Sequence, residues 1–174
     1  STPWLDSGEI IKLDVSSSKS VDEACKNIDY IIHLAALDAE NCAKDPEKAF
    51  LINTLGTVKL VEAAKKNGIK RIIYFSTAHV YGAPLIGEIT EKNLPKPSHP
   101  YAITHLAAEN YVLAASSASD TVGVVVRLSN AYGVPHNHTM NSWKLVANDL
   151  CRQAVGEKKI ILKTSGMQLS LIHI

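Results

Sequence analysis

The 174-residue sequence has little of what marks the specialised protein classes. No run of about 18 apolar residues occurs, so it contains no ordinary membrane-spanning helix. Cysteines number three, Cys25, Cys42 and Cys151, and none stands in a Cys-x-x-Cys pair. An odd, unpaired set reads as reduced thiols and argues against a disulfide scaffold or a zinc site. Charge of one sign is also missing, with Lys+Arg 18 against Asp+Glu 17. Dispersed and balanced charge leaves no electrostatic footprint for nucleic acid. No charged-then-apolar leader marks the start, and a cytoplasmic location is expected. What is present is 46% hydrophobic and 20% charged residues, too apolar for intrinsic disorder and enough for the core of one domain.

Apolar runs and helical stripes alternate along the chain. Gly8–Val15 reads as a strand, Lys19–Asn27 as a short helix and Asp29–Ala36 as a strand buried on both faces. Asp45-Pro46-Glu47 is a helix start: an N-cap, a proline at the first helical position and an acid in the first turn. That helix can run to the stop signal Asn67-Gly68, with Ala49, Asn53, Gly56, Leu60 and Ala64 on one face. Lys70–Ser76 is another buried-type strand, and Gly82–Pro97 is a loop. Pro100 opens a second long helix to about Ala115, whose apolar stripe is Ile103, Leu106, Ala107, Tyr111 and Ala114. Thr121–Leu128 is a β-branched strand, Trp143–Val155 is helical and Lys159–Lys163 is a last short strand. The expected class is α/β, a doubly wound, Rossmann-like parallel sheet with helices on both faces.

In such a sheet, ligands sit beyond the carboxyl ends of the strands. The residues to watch are therefore those where each apolar run gives out. They are Asp14-Val15, Leu34-Ala35-Ala36, Ser76-Thr77 and Arg127-Leu128-Ser129-Asn130. Small side chains at Ala35 and Ala36 would let a flat ligand approach the backbone. Tyr101 and His105, spaced i, i+4, project from one helical face. With Thr77 they make a hydroxyl, a phenol and a base, a set suited to proton transfer. Asn53 is an amide inside an apolar stripe, costly to bury without partners; it serves either to position the next strand or as a structural bond. Gly56, one turn later, would let its helix pack closely. His136-Asn137-His138 holds too few ligands for a metal site, and no metal is expected. Trp4 and Trp143 read as packing anchors.

The order of these pieces resembles the extended short-chain dehydrogenases, the NAD(P)-dependent epimerase/dehydratase family acting on nucleotide sugars. The resemblance is carried by Ile31–Ala36, Asn53–Thr57 with Leu60–Ala64, Tyr74–Gly82, Pro100–Glu109 and Arg127–Gly133. It implies that Tyr101 is the acid/base and that Thr77 binds the reacting sugar oxygen with Ser76 in support. It further implies that Asp14 and Val15 contact the adenine and that Leu34, Ala35 and Ala36 lie along the cofactor. Asn53 would brace the active site, and Asn130 would face the phosphate side of the substrate. The implied cofactor is NAD or NADP, with NAD favoured. The implied activity is epimerisation by transient hydride transfer. The alternatives are a keto-reductase and a non-catalytic dinucleotide-binding regulatory or scaffold protein. A homodimer through the two long helices is implied as well, with no nucleic acid and no membrane as partner.

The sequence departs from the family pattern in several places. His105 stands where the family has lysine. An imidazole of ordinary pKa is only about a quarter protonated at pH 7, although a neighbouring phenolate would raise that fraction. Ala78 and His79 occupy the places of the acidic pair with which dehydratases expel water, so elimination is not expected. No Gly-x-x-Gly-x-x-Gly loop is present, nor the residue that tells NAD from NADP. The expectation is a truncated domain over residues 1–168, lacking most of the substrate domain and inactive by itself. The closing Leu169–Ile174 matches one reading frame of a sequencing adaptor, an expected non-natural tail.

Overall fold

Three of the apolar runs become parallel neighbours. In the computed structural model, which describes residues 8–129, 131–133 and 145–161, strands β1 (Tyr30–His33), β2 (Arg71–Thr77) and β3 (Val122–Leu128) form one sheet in that order. The register pairs Ile31 with Ile72, His33 with Tyr74, Ser76 with Arg127 and Thr77 with Leu128. Parallel neighbours require crossover connections, and helices supply them. The helices are α1 (Ser18–Ala24), α2 (Ala39–Lys44), α3 (Pro46–Ala49), α4 (Gly56–Lys66), α5 (Pro100–Ala118) and α6 (Val146–Gly156).

Helices α1, α4 and α5 bury one face of the sheet. The core gathers Val21 from α1 and Cys25 at its C-cap, Leu60, Val61 and Ala64 from α4, Ile72 and Tyr74 from β2, and Ala108, Val112 and Ala115 from α5. Each branched aliphatic side chain buried this way contributes roughly 1.5–3 kcal/mol. The opposite face carries Tyr30 and Ile32, which are exposed; among the described residues it is not covered as the inner face is.

Local signals explain most boundaries. The Asp45 carboxylate accepts from Lys48 N at 2.9 Å and Pro46 opens α3, while Gly68 stands at φ +69° just past α4. Between α3 and α4 the helix widens into a π-helical turn over Phe50–Leu55, with Gly56 N bonded to Leu51 O. Gly56 is tight for a second reason: a Cβ there would lie 3.2 Å from the Val15 side chain. All three cysteines are free, Cys25 and Cys42 buried and Cys151 exposed.

Some expectations need correction. Gly8–Leu13 is not a strand, and Ile10, Ile11 and Leu13 are exposed. A parallel strand needs a neighbour, and among the described residues no strand pairs with this segment. The last strand is likewise absent over 159–161, where the chain is irregular. Helix α2 was not anticipated; Asp38 caps it, accepting from Asn41 N at 2.8 Å. The apolar stripe assigned to α5 is its outward side, because Ile103, Tyr111 and Ala114 are exposed. The sheet-facing side instead uses Ala102, Ala108, Val112 and Ala115, small enough for β3 to press close. That approach fixes Gly123, where a Cβ would fall 1.8 Å from Val112 O.

Candidate active site

Thr77 closes β2, and its hydroxyl accepts from His79 N at 3.2 Å, capping a short 3₁₀ turn over Ala78–Tyr81. The same hydroxyl is near enough to the Tyr101 phenol to act on its ionisation. Tyr101 is held there because α5 starts at Pro100 behind the N-cap His99, whose Nδ1 accepts from Tyr101 N at 3.2 Å. Burial pushes the phenol above its ordinary pKa, and Thr77 opposes that push. A cavity of about 240 Å³ opens beside the phenol, lined by Ala39, His79, Gly82, Ser98 and His99 among others.

One turn along α5, His105 is 2% exposed, and its ring meets Tyr101 edge-on with centroids 4.4 Å apart. Its Nδ1 is 2.7 Å from the Tyr74 hydroxyl. Its Nε2 is buried with no hydrogen-bond partner. Burial, with His33 adding a smaller push, takes its pKa down to about 4. This corrects the partial positive charge expected of it, because an imidazole so enclosed is uncharged at pH 7, with a proton on only one of its two nitrogens.

Asn53 sits in the π-helical turn and is completely buried. Its Oδ1 accepts from Leu37 N at 2.8 Å, and its Nδ2 donates to Thr104 Oγ1 at 3.1 Å and to Cys42 Sγ at 3.4 Å. Thr104 in turn donates to Tyr101 O at 2.9 Å. One amide thus ties the turn after β1 to the helix that bears Tyr101. The widened turn is what brings it there, and such π-helical insertions recur at functional sites.

Ser76 does not face the cavity described above. Its hydroxyl donates to Glu109, which is 1% exposed, and Arg127 clasps the same carboxylate with Nε at 3.1 Å and Nη2 at 2.7 Å. Arg127 Nη1 also donates to Tyr81 OH at 2.8 Å, and its guanidinium lies 4.8 Å from that ring's centre. Glu109 and Tyr74 went unnoticed in the sequence. The signal for Glu109 was available: it is the only Asp, Glu, Lys or Arg in α5, so a carboxylate on that helix demands a partner.

Beyond the carboxyl end of β1, Leu34, Ala35 and Ala36 are exposed. Asp14 Oδ1 accepts from Ser16 N and Oγ, which holds its carboxyl below the ordinary carboxylate pKa. Val15 packs on Gly56. Asn130, Trp4, Trp143, His136 and His138 lie outside the described residues.

The sequence matches the NAD dependent epimerase/dehydratase family over residues 2–174. The chain belongs to this family. Over 109 residues it is 38% identical to the UDP-glucose 4-epimerase of Lacticaseibacillus casei, covering 62% of this chain and 33% of that protein. Over 114 residues it is 35% identical to the dTDP-D-glucose 4,6-dehydratase of Mus musculus, covering 65% of this chain and 32% of that protein. Its matches therefore span about a third of these family members' length. The fold resembles MoeE5 in complex with UDP-glucose and NAD, with a TM-score of 0.71 at 29% identity, over 82% of this chain and 46% of that one. It also resembles RMD from Pseudomonas aeruginosa complexed with NADPH, with a TM-score of 0.69 at 27% identity, over 85% of this chain and 49% of that one. Among the described residues no helix is long and apolar enough to cross a membrane.

Proposed function

We propose that the protein is an NAD(P)-dependent nucleotide-sugar epimerase with Tyr101 as its acid/base. The observation that carries this reading is the Tyr101 phenol lining a cavity just past the carboxyl end of β2, where Thr77 ends the strand. Its likeness to a UDP-glucose 4-epimerase and to a protein that binds UDP-glucose and NAD supports the substrate class.

The residues present fit the nicotinamide end of such a cofactor. The orphaned His105 Nε2 needs a polar partner next to Tyr101, and a ribose hydroxyl satisfies an imidazole nitrogen of either protonation state. Asp14, Val15, Leu34, Ala35 and Ala36 are the proposed contacts for the rest of the dinucleotide. When bound, the nicotinamide supplies reversible hydride acceptance. Thr77 holds the sugar oxygen whose charge changes, and the Tyr101 oxygen takes that hydroxyl's proton and later returns it. Asn53, through Thr104, keeps the backbone of Tyr101 in place. Ala78 and His79 provide no carboxylate next to Thr77 to expel water, which favours epimerisation over dehydration.

The outward face of α3, α4 and α5 is the proposed homodimer surface. Phe50, Leu51, Leu55 and Tyr111 line an apolar groove of about 690 Å³ there, and all four side chains are exposed in one chain.

The test is turnover of UDP-glucose to UDP-galactose by the full-length protein with NAD. Tyr101→Phe should lower kcat by roughly 10²–10⁴-fold, the usual worth of a positioned acid/base, with dinucleotide affinity nearly unchanged. Equal turnover by Tyr101→Phe and wild type would refute the assignment. No turnover by the wild type, with dinucleotide binding retained, would favour a non-catalytic protein.

A further inference from the structure

The buried hydrogen bonds around Tyr74 can be followed proton by proton. Thr57 has one hydroxyl proton, and it goes to Asn53 O at 2.5 Å. The Thr57 oxygen can then only accept, so the His33 nitrogen 3.0 Å from it, Nε2, must carry the proton of that bond. The Tyr74 ring lies in the same enclosure, tilted against the His33 ring with centroids 5.3 Å apart and stacked on the His105 ring at 5.7 Å. Thr57 neighbours the phenol, but one of its lone pairs is already taken by His33. The shortest contact of the phenol is His105 Nδ1 at 2.7 Å. A buried phenol proton that goes to Nδ1 requires that nitrogen to be bare, which places the ring proton of a neutral His105 on Nε2.

We propose that Tyr74 is a positioning residue: its phenol occupies His105 Nδ1, fixing an uncharged Nε2–H imidazole beside Tyr101 as a hydrogen-bond donor where the family pattern has a cation. The groups packed around His105 agree with a neutral ring. From β1 comes His33, on the far side of the shared Tyr74 ring, from β2 the Tyr74 phenol, and from α5 itself Tyr101. The nearest carboxylate along α5 is Glu109, one turn on, and it is already engaged by Ser76 and Arg127. None of these offers His105 an unspent negative charge. A neutral donor does less than a cation to favour the Tyr101 phenolate, so this phenol ionises on the alkaline side in the free protein.

The inference extends the proposed role of Tyr101, but its test needs neither substrate nor turnover. The full 174-residue chain is labelled with ¹⁵N-histidine and ¹³Cζ-tyrosine, and its ring signals are followed by NMR from pH 5.5 to 11. In the wild type, His105 should show an unprotonated Nδ1 and a protonated Nε2 with no titration between pH 5.5 and 8. Tyr101 should ionise above pH 10. In Tyr74→Phe the Nδ1 signal should move as its hydrogen bond is lost, while the His33 ring signals stay in place and report an intact core. In His105→Lys the Tyr101 ionisation should fall by at least a full pH unit, a tenfold change. A protonated Nδ1 in the wild type would overturn the proposal, and so would a His105 that titrates near its ordinary pKa. So would an unmoved Nδ1 signal in a folded Tyr74→Phe. The wild-type spectra decide the matter even if a variant fails to fold. Loss of turnover in Tyr101→Phe bears on the epimerase reading alone, so the two can fail separately.

Discussion

Replacing Glu109 by glutamine should be among the most damaging single changes in the described part of the chain. The side chain is 1% exposed, accepts from Ser76, and meets Arg127 through both carboxylate oxygens at 2.7 to 3.1 Å. Glutamine keeps the shape and removes the charge, leaving the Arg127 guanidinium facing an amide that also presents donors. Removing one partner of a buried ion pair costs about 3–5 kcal/mol. Arg127 is itself 18% exposed and keeps the Tyr81 ring and hydroxyl, which puts the expected loss at the low end, about 3 kcal/mol. In urea, where a small protein loses roughly 1–3 kcal/mol of stability per molar, the midpoint should fall by about 1–3 M. The double variant Glu109→Leu with Arg127→Met should recover a large part of the loss, since a packed apolar pair stands in for a buried ion pair at little cost. A Glu109→Gln midpoint indistinguishable from wild type would refute the account of this network. A double variant less stable than Glu109→Gln would refute the argument that the cost lies in the stranded charge.

Gly123→Ala should destabilise by about 1–3 kcal/mol or more, because the new Cβ would lie 1.8 Å from a backbone oxygen of α5; a urea midpoint equal to wild type would show that the helix yields freely. Acid should unfold the protein through His33 and His105, both pushed down to about 4 by burial. Their contribution is complete above the unfolded pKa of about 6.5 and is lost as pH falls from there toward 4, on the order of 3 kcal/mol for each ring. Thermal melts between pH 7 and 4.5 check this, and replacing either histidine by glutamine should flatten the pH dependence. Leu51→Glu, on the outward apolar groove, should convert a dimer to monomer in analytical ultracentrifugation without lowering the melting temperature of the monomer; an unchanged sedimentation coefficient would remove that face as the interface.

How much of this was legible in the sequence depended on how local the signal was. The Asp45-Pro46 start and the Asn67-Gly68 stop are chemistry within a few residues, and the structure has both. The three paired strands were visible as β-branched apolar runs. Gly8–Val15 carried a comparable run, but strand formation there depends on a neighbour that no local pattern can supply. Helix α5 misled for a different reason. It is apolar nearly all round, so periodicity could not say which side meets the sheet, and the larger side chains drew the assignment to the outer face. The contact with β3 selected small residues instead, a demand that arises only once Gly123 and Val112 O are brought together. At the site, Tyr101 opens α5 near the end of β2 where Thr77 stands, and His105 follows one turn on. The protonation state of His105 was not legible, because it follows from enclosure by Tyr74 and His33, residues remote in sequence.

The arrangement on α5 shows why those neighbours matter more than the motif itself. Tyr101, His105 and Glu109 recur every four residues along the sheet-facing side; His105 bonds Tyr74 and Glu109 bonds Ser76, both from β2, while Tyr101 lies near Thr77 at the end of that strand. An apolar stripe in the same place would pack as well and would tolerate sliding by fractions of an ångström. Two hydrogen-bonded pairs do not, since each bond weakens steeply away from its own length and angle. The polar stripe therefore sets the register between helix and strand on which the distance from Thr77 to Tyr101 depends. Of these residues only Tyr101 lines the cavity, and the two hydrogen-bonded pairs are buried away from it. A variant that weakens Ser76–Glu109 should accordingly disturb proton transfer at Tyr101 even where the protein stays folded. Ser76→Ala is the mild form of that change, and it should lower kcat of the full-length protein more than it raises KM. Equal kcat in wild type and Ser76→Ala would mean that Thr77 and Tyr101 hold their distance without this bond.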